Sequence, residues 1–312
     1  MTWAPQTAAR ERKRKNRRTL YRKIKQYRAI YIMVIPVLAY FAIFTFYPLV
    51  LGLIQSFQQE RLLGKPVFIG LNNYRLILAD IMFRRSFRNS VIMGVTSLFL
   101  GLACSLFLTL CINEVRNLHV KRAVQTVTFL PSLFSWTVVG SMWIFVMGHN
   151  GLVNTLLANL GFARVGFFTT SGLGRPVIYF TGVWKGAGYN AVLMLAAVVT
   201  IDPQVFEAAR IDGASRMQQI RRIIIPQLGP TIKTLLVLGS AGILRNFDQI
   251  WVMNRPATKD SIRSLVLYIY EEGILNLKIG RATAAATVVL VITLFISVLV
   301  RKLAKYDQDV SY

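Results

Sequence analysis

Apolar and polar positions in this chain segregate on the scale of whole helices. Six long stretches, near residues 29–55, 90–112, 123–147, 176–200, 231–252 and 282–300, are almost continuously apolar, and more polar segments separate them. A bilayer core about 30 Å thick needs about 20 such residues per crossing helix, so each stretch can span. The pattern predicts an all-α polytopic membrane protein with six transmembrane helices. Its first stretch is too long for a removed signal peptide and carries no small-residue cleavage site. Between the first two stretches, residues 56–89 contain Gly64-Lys65-Pro66, a turn signal, and Leu76 to Phe87, a candidate interfacial amphipathic helix. Further outer loops are expected near 148–175 and 254–281, and no short fixed repeat is visible.

Composition sharpens this picture. The 312 residues are 54% hydrophobic and 16% charged, with a formal net charge of +24. Soluble domains carry about 25% charged residues, and disordered chains are poor in apolar ones, so both classes are excluded. Basic charge scattered around long apolar runs suits a bilayer better than a nucleic-acid groove, and no nucleic-acid partner is expected. Residues 1–28 hold eleven Lys/Arg against one acid, Glu11. At about 1 kcal/mol per basic residue near an anionic leaflet, this tail should stay cytoplasmic. An even number of crossings returns the C-terminus to the same side. Without the tail, inner and outer loops carry nearly equal basic charge, so the orientation rests on it. The expected divisions are a basic tail (1–28), a transmembrane domain (29–303) and a cytoplasmic C-terminal tail (304–312).

Candidate chemistry is sparse. Cys104 and Cys111 lie seven residues apart in one apolar run. On a helix that is about 10 Å, too far for a disulfide. His119 and His149 stand in different contexts, so no metal cluster is expected. There is no GxxxxGK[ST] loop and no GxSxG elbow, hence no ATPase or serine hydrolase machinery in the chain itself. No cofactor and no enzymatic activity are expected of it.

The most informative segment is the inner loop 201–230. Asp202 can cap a helix begun by Pro203, Gly213 permits a sharp turn, and Pro226 stops a second helix near the next crossing. The loop reads Glu207-Ala208-Ala209, three residues, Gly213, nine residues, Ile223, then Ile225-Pro226. This pattern resembles the cytoplasmic EAA signature of permease subunits of binding-protein-dependent ABC importers, with Ile225 where Leu is usual. Gly70-Leu71-Asn72-Asn73-Tyr74, Phe129-Leu130-Pro131 and Ile211-Asp212-Gly213-Ala214-Ser215 resemble the carbohydrate branch, especially permeases for oligosaccharides such as alginate-like or pectin-derived fragments. The resemblance runs from about residue 30 to 303.

That resemblance implies a type I ABC importer permease fold in the bacterial cytoplasmic membrane. The implied partners are a second permease subunit, two ATPase subunits that bind ATP and Mg, a solute-binding protein, and an oligosaccharide cargo. It implies that the loop is a coupling helix seated on the ATPase, with Glu207 facing a basic residue there, Ala208 and Ala209 allowing close approach, and Gly213 making the turn. Asp212, Ile223 and Pro226 complete the implied coupling set.

Two groups of residues point to cargo or its delivery. Lys185 lies mid-helix beside Trp184 and among Gly182, Gly186 and Gly188. A lone cation there costs about 2.5–3.5 kcal/mol, so it should face protein or a wet path. The fifth stretch carries Arg245, Asn246, Asp248 and Gln249. Arg245 and Asp248, three apart, either pair on one helix face or line the path. A cationic lining would favour an anionic, uronate-containing oligosaccharide. Trp136, Trp143, Trp184, Trp251 and Tyr268 could stack on sugar rings, although Trp251 fits an interfacial anchor better. Asn72, Asn73, Glu271 and Glu272 in the outer loops are candidates for contact with a solute-binding protein.

A secondary transporter or channel working without an ATPase is the rival reading. Neither would need the Glu207 to Pro226 pattern. The chain also lacks a TVGYG-like filter and a voltage-sensing arginine helix.

Overall fold

The structure is a computed structural model that describes residues 26–59 and 65–304. Residues 1–25 of the basic tail and the last eight residues therefore lie outside the described residues, as does Gly64 of the expected turn. The chain divides into two compact units, Met1–Gln55 and Ser56–Tyr312.

The described part of the first unit is one helix, α1 (Arg28–Gln55), 28 residues long and with none of its most apolar window buried. At 1.5 Å per residue it measures about 42 Å, enough to cross a bilayer. A π-turn at Ala42–Phe46 precedes Pro48. Proline removes an amide donor and crowds the carbonyl four residues earlier, and a widened turn relieves that conflict.

The second unit opens with a two-residue antiparallel pair, β1 (Gln58–Gln59) with β2 (Val67–Phe68), in which Gln58 faces Phe68. Short α2 (Asn72–Ala79) follows, then α3 (Ile81–Glu114), 34 residues long. The expected interfacial helix from Leu76 to Phe87 is therefore split. Asp80 stands between the two helices and caps α3, its Oδ1 accepting the Met82 amide at 2.7 Å. As a result α3 begins nine residues earlier than the apolar pattern places the second span.

Spans one, two, four and six are single helices: α1, α3, α7 (Gly174–Val199) and α14 (Ile279–Leu303). Spans three and five are broken. The third consists of α4 (Leu118–Phe129), a 3-10 turn at Leu130–Leu133 and α5 (Trp136–Val146), bent by 104°. Pro131 supplies no amide to the ladder, and Ser135 starts α5 afresh as its cap. The expected straight helix over 123–147 is corrected accordingly. In the fifth, α10 (Gly229–Ser240) ends early, residues 241–247 are non-helical, and α11 (Asp248–Met253) resumes. Arg245 and Asp248 are thus not one turn apart on a continuous helix, which corrects the premise of their pairing.

Short helices fill the connections: α6 (Leu152–Asn159), α8 (Pro203–Ile211), α9 (Arg216–Gln227), α12 (Lys259–Ile262) and α13 (Leu265–Tyr270), the last running into a π-turn at Glu271–Leu275. Helix α3 is the hub, packing on α7 most extensively and also on α10, α12 and α13. Three apolar clusters result. One joins Phe83 to Leu265, Tyr268, Ala284 and Ala285, a second joins Met93 to Ile178, Ile250 and Leu267, and a third joins Leu102 to Met194, Ile224, Leu228 and Leu235.

Candidate functional site: an exposed inner loop and two broken spans

The inner loop folds as its residues dictate. The Asp202 carboxylate accepts the Gln204 amide at 2.9 Å, so α8 starts at Pro203. At its end Gly213 adopts φ +75°, a left-handed conformation that suits glycine. The Ala214 amide then reaches back to the Ala209 carbonyl at 2.8 Å and the Gly213 amide to Arg210 at 3.1 Å, a Schellman closure. Ser215 and Gln218 form a reciprocal capping box that starts α9. Phe206, Ile220, Ile223 and Ile224 root the loop on the apolar cluster at this end of α3 and α7.

What this leaves outside is specific. Glu207, Ala208, Asp212, Gly213 and Pro226 are exposed, and Ala209 and Ile223 are half-buried. Glu207 has no ion-pair partner among the described residues. Ile211 is 86% exposed and Met217 56%, an apolar surface beside a bare carboxylate on a rigid, doubly capped helical pair. Such a face is shaped for a macromolecular partner.

The break in span three creates a second feature. The turn at Pro131 leaves the Ser132 carbonyl free of a helical donor, and Lys185 on α7 supplies one, Nζ to O at 3.0 Å. The same ammonium stands 5.6 Å from the centre of the Trp136 ring. A recess of about 310 Å³ opens here, lined by Ser132, Trp136, Lys185, Tyr189 and Asn190, with Gly182 and Gly186 leaving room. Trp184 sits on the neighbouring face, edge-on to Trp143 at 5.3 Å. Sequence reading found Lys185 and missed Tyr189, Asn190 and the Ser132 carbonyl. Pro131 inside an apolar run was the available signal.

The fifth-span cluster separates into two roles. Gln249 is buried and donates to the Ile178 carbonyl at 2.8 Å and to Thr181 at 2.9 Å, tying α11 to α7, while Asn246 donates to Gln249 at 3.0 Å. Arg245 and Asp248 are exposed and form no ion pair among the described residues. Non-helical backbone within a membrane is tolerated where it is buried in protein or lines a wet cavity, and Ile243 and Leu244 in this stretch are buried in protein. Trp251, Phe247 and Tyr270 form an aromatic cluster, Trp251 to Tyr270 at 4.8 Å. Trp251 thus has aromatic partners within the protein besides the interface expected for it.

The outer-loop candidates turn mostly inward. Asn73 is buried and donates to the Ser56 carbonyl at 3.0 Å and the Gln58 carbonyl at 2.8 Å, pinning α2 to the β-pair. Glu272 is buried, accepting from Asn276 at 2.7 Å and facing Lys278 at 3.4 Å. Glu271 is held by Lys259 at 2.9 Å and Arg263 at 3.4 Å. Asn72 is the exposed member of the four. These partners lie at or beyond the next turn of chain, where local pattern carries no trace of them. No group of three or more potential metal ligands occurs among the described residues.

Comparison with known proteins agrees with this geometry. The polygalacturonan/rhamnogalacturonan transport system permease protein YteP of Bacillus subtilis is 27% identical over 299 residues, covering 94% of this chain and 92% of the relative. A bacterial ABC transporter involved in import of the acidic polysaccharide alginate has a chain that superposes with a TM-score of 0.86 at 30% identity, covering 94% of this chain and all of that one. A second structure of the alginate transporter, in complex with an alginate pentasaccharide-bound periplasmic protein, gives a TM-score of 0.84 at 30% identity over 91% of this chain and 96% of that one. Residues 76–305 match the family of binding-protein-dependent transport system inner membrane components, and the chain belongs to that family.

Proposed function

We propose that this permease works with a second permease subunit, two ATPase subunits and a solute-binding protein to import an oligosaccharide by alternating access, with α8 and α9 as its coupling element. The observation that carries the reading is the exposed Glu207 on α8, beside exposed Ile211 and closed by the Gly213 turn. A carboxylate with no ion-pair partner among the described residues, on a rigid helix, is poised for a cation on the ATPase. ATP and Mg belong to that subunit, which leaves this chain the mechanical part. The loop then faces the cytoplasm together with both termini. Copurification from native membranes in detergent tests this. Wild-type protein should bring down an ATPase, and Glu207→Ala should lose most of it; a lone chain in both samples would sink the importer assignment in favour of secondary transport.

The cargo follows from the Lys185 recess, where an ammonium, two aromatic rings and an amide converge. Pyranose faces stack on aromatic rings, and a uronate carboxylate would replace the Ser132 carbonyl as partner of Lys185. Arg245 adds a second exposed cation. We therefore assign an anionic oligosaccharide, in keeping with the acidic cargo of the solved relative. A charged hydrogen bond contributes about 1.5–3 kcal/mol, so Lys185→Met should lower uptake of oligogalacturonides by roughly 10-fold or more while sparing neutral maltooligosaccharides. Equal loss for both would remove charge selection.

A further inference from the structure

Helix α3 ends where a long helix should not. Glu114 is its last residue, a carboxylate at the negative end of the helix dipole, where Lys or Arg would be favoured. Its position is explained by what it holds. Arg216, at the first position of α9, approaches it in a fork, Nε to the two carboxylate oxygens at 3.1 and 2.9 Å and a terminal nitrogen to Oε1 at 2.8 Å. The other terminal nitrogen donates to Gln219 Oε1 at 3.0 Å, and buried Gln219 donates to the Ala214 carbonyl at 3.1 Å. Ala214 directly follows Gly213. An unbroken polar chain thus links the inner end of α3 to the turn of the coupling loop.

The outer part of α3 is fastened as well. Asp80 accepts the Tyr268 hydroxyl at 2.7 Å, and Asn89 donates to the carbonyls of Asp260 and Arg263 and accepts from Arg175 at 2.8 Å. Between these points the helix is continuous, without a proline.

We propose that Glu114 and Arg216 are positioning residues for energy coupling: their fork is the joint through which displacement of the coupling loop is passed to α3, and by α3 to the segments around Asp260 and Tyr268. This rests on the coupling role of α8 and α9. An exposed pair contributes little to stability on its own, so its value lies in fixing one orientation of α9 against α3.

The test uses the complete transporter in proteoliposomes, reading ATP hydrolysis with and without the cargo-loaded solute-binding protein, and ATPase retained per permease. Glu114→Arg and Arg216→Glu should each retain the ATPase yet lose at least about fivefold of the stimulation. The double reversal should restore most of it. Glu114→Gln, which preserves shape and removes only charge, covers the case in which a reversal fails to fold; it should lose stimulation in part. Unchanged stimulation in well-folded single variants, or no recovery in a well-folded double variant, overturns the proposal. Glu207→Ala in parallel separates the two ideas: if it too leaves ATPase binding and stimulation intact, the coupling role of the loop itself has failed.

Discussion

Gly213 shows how much of this protein turns on single backbone positions. At φ +75° an L side chain is strained, and Gly213→Ala should cost about 1–2 kcal/mol locally. Open space surrounds the glycine, so no clash adds to that figure. The expected outcome is a membrane domain of nearly wild-type thermal stability with reduced ATPase retention, read by melting and copurification on one preparation. Asn73 is the opposite case. Its amide holds two carbonyls in a buried setting, and Asn73→Ala should leave both short of a donor at about 1–3 kcal/mol each. A melting temperature lowered by several degrees, with unchanged affinity for the solute-binding protein, would mark it as structural. An affinity lost without any change in melting would restore the docking role expected from sequence.

At the scale of elements, the three glycines around Lys185 look equivalent in sequence and differ in the fold. A Cβ on Gly188 would run into the Thr128 backbone of α4, one on Gly182 would touch Gln249 at 3.5 Å, and one on Gly186 would meet nothing. Gly186→Ala should therefore stabilise α7 by up to about 1 kcal/mol through helix propensity. Gly188→Ala should destabilise by about 1–3 kcal/mol, because α4 and α7 must part. Fluorescence melting in detergent distinguishes them, and similar shifts for both would contradict the packing described. The same contrast explains what the sequence could and could not disclose. Apolar length announced up to six crossings, and Asp202 and Gly213 announced the inner helix pair, because caps and turns are local chemistry; Pro226 does not stop α9, which runs on to Gln227 before a 52° bend into α10. The break near Arg245 stayed hidden inside an apolar run, since hydropathy registers composition and not continuity, while the break in span three was marked only by Pro131. Asp80 ahead of an apolar run was a legible cap signal for the true start of α3. Glu114, Asn73 and Glu272 were illegible for another reason: their roles depend on partners that only the folded chain brings near.

Across the whole molecule, the reading requires one sidedness: α8 and α9 inside, the π-turn after α13 outside. The basic tail supplies the strongest sequence argument for it, and four crossings between tail and inner loop carry the parity. The prediction is direct because the native thiols are few. Cys104 and Cys111, both exposed along α3, can be replaced by Ser to give a cysteine-free background. Gln204→Cys on exposed α8 and Leu275→Cys, at a residue 59% exposed, then report the two faces. A membrane-impermeant maleimide should label position 275 in right-side-out vesicles and position 204 only in inverted ones. The reverse pattern would place the coupling surface outside the cell, away from ATP. Labelling of both positions from one side would mean that the fifth span, interrupted between α10 and α11, re-enters instead of crossing. The reverse pattern, or labelling of both positions from outside, would detach the Glu207 surface from the ATPase and leave the Glu114–Arg216 joint without a driver.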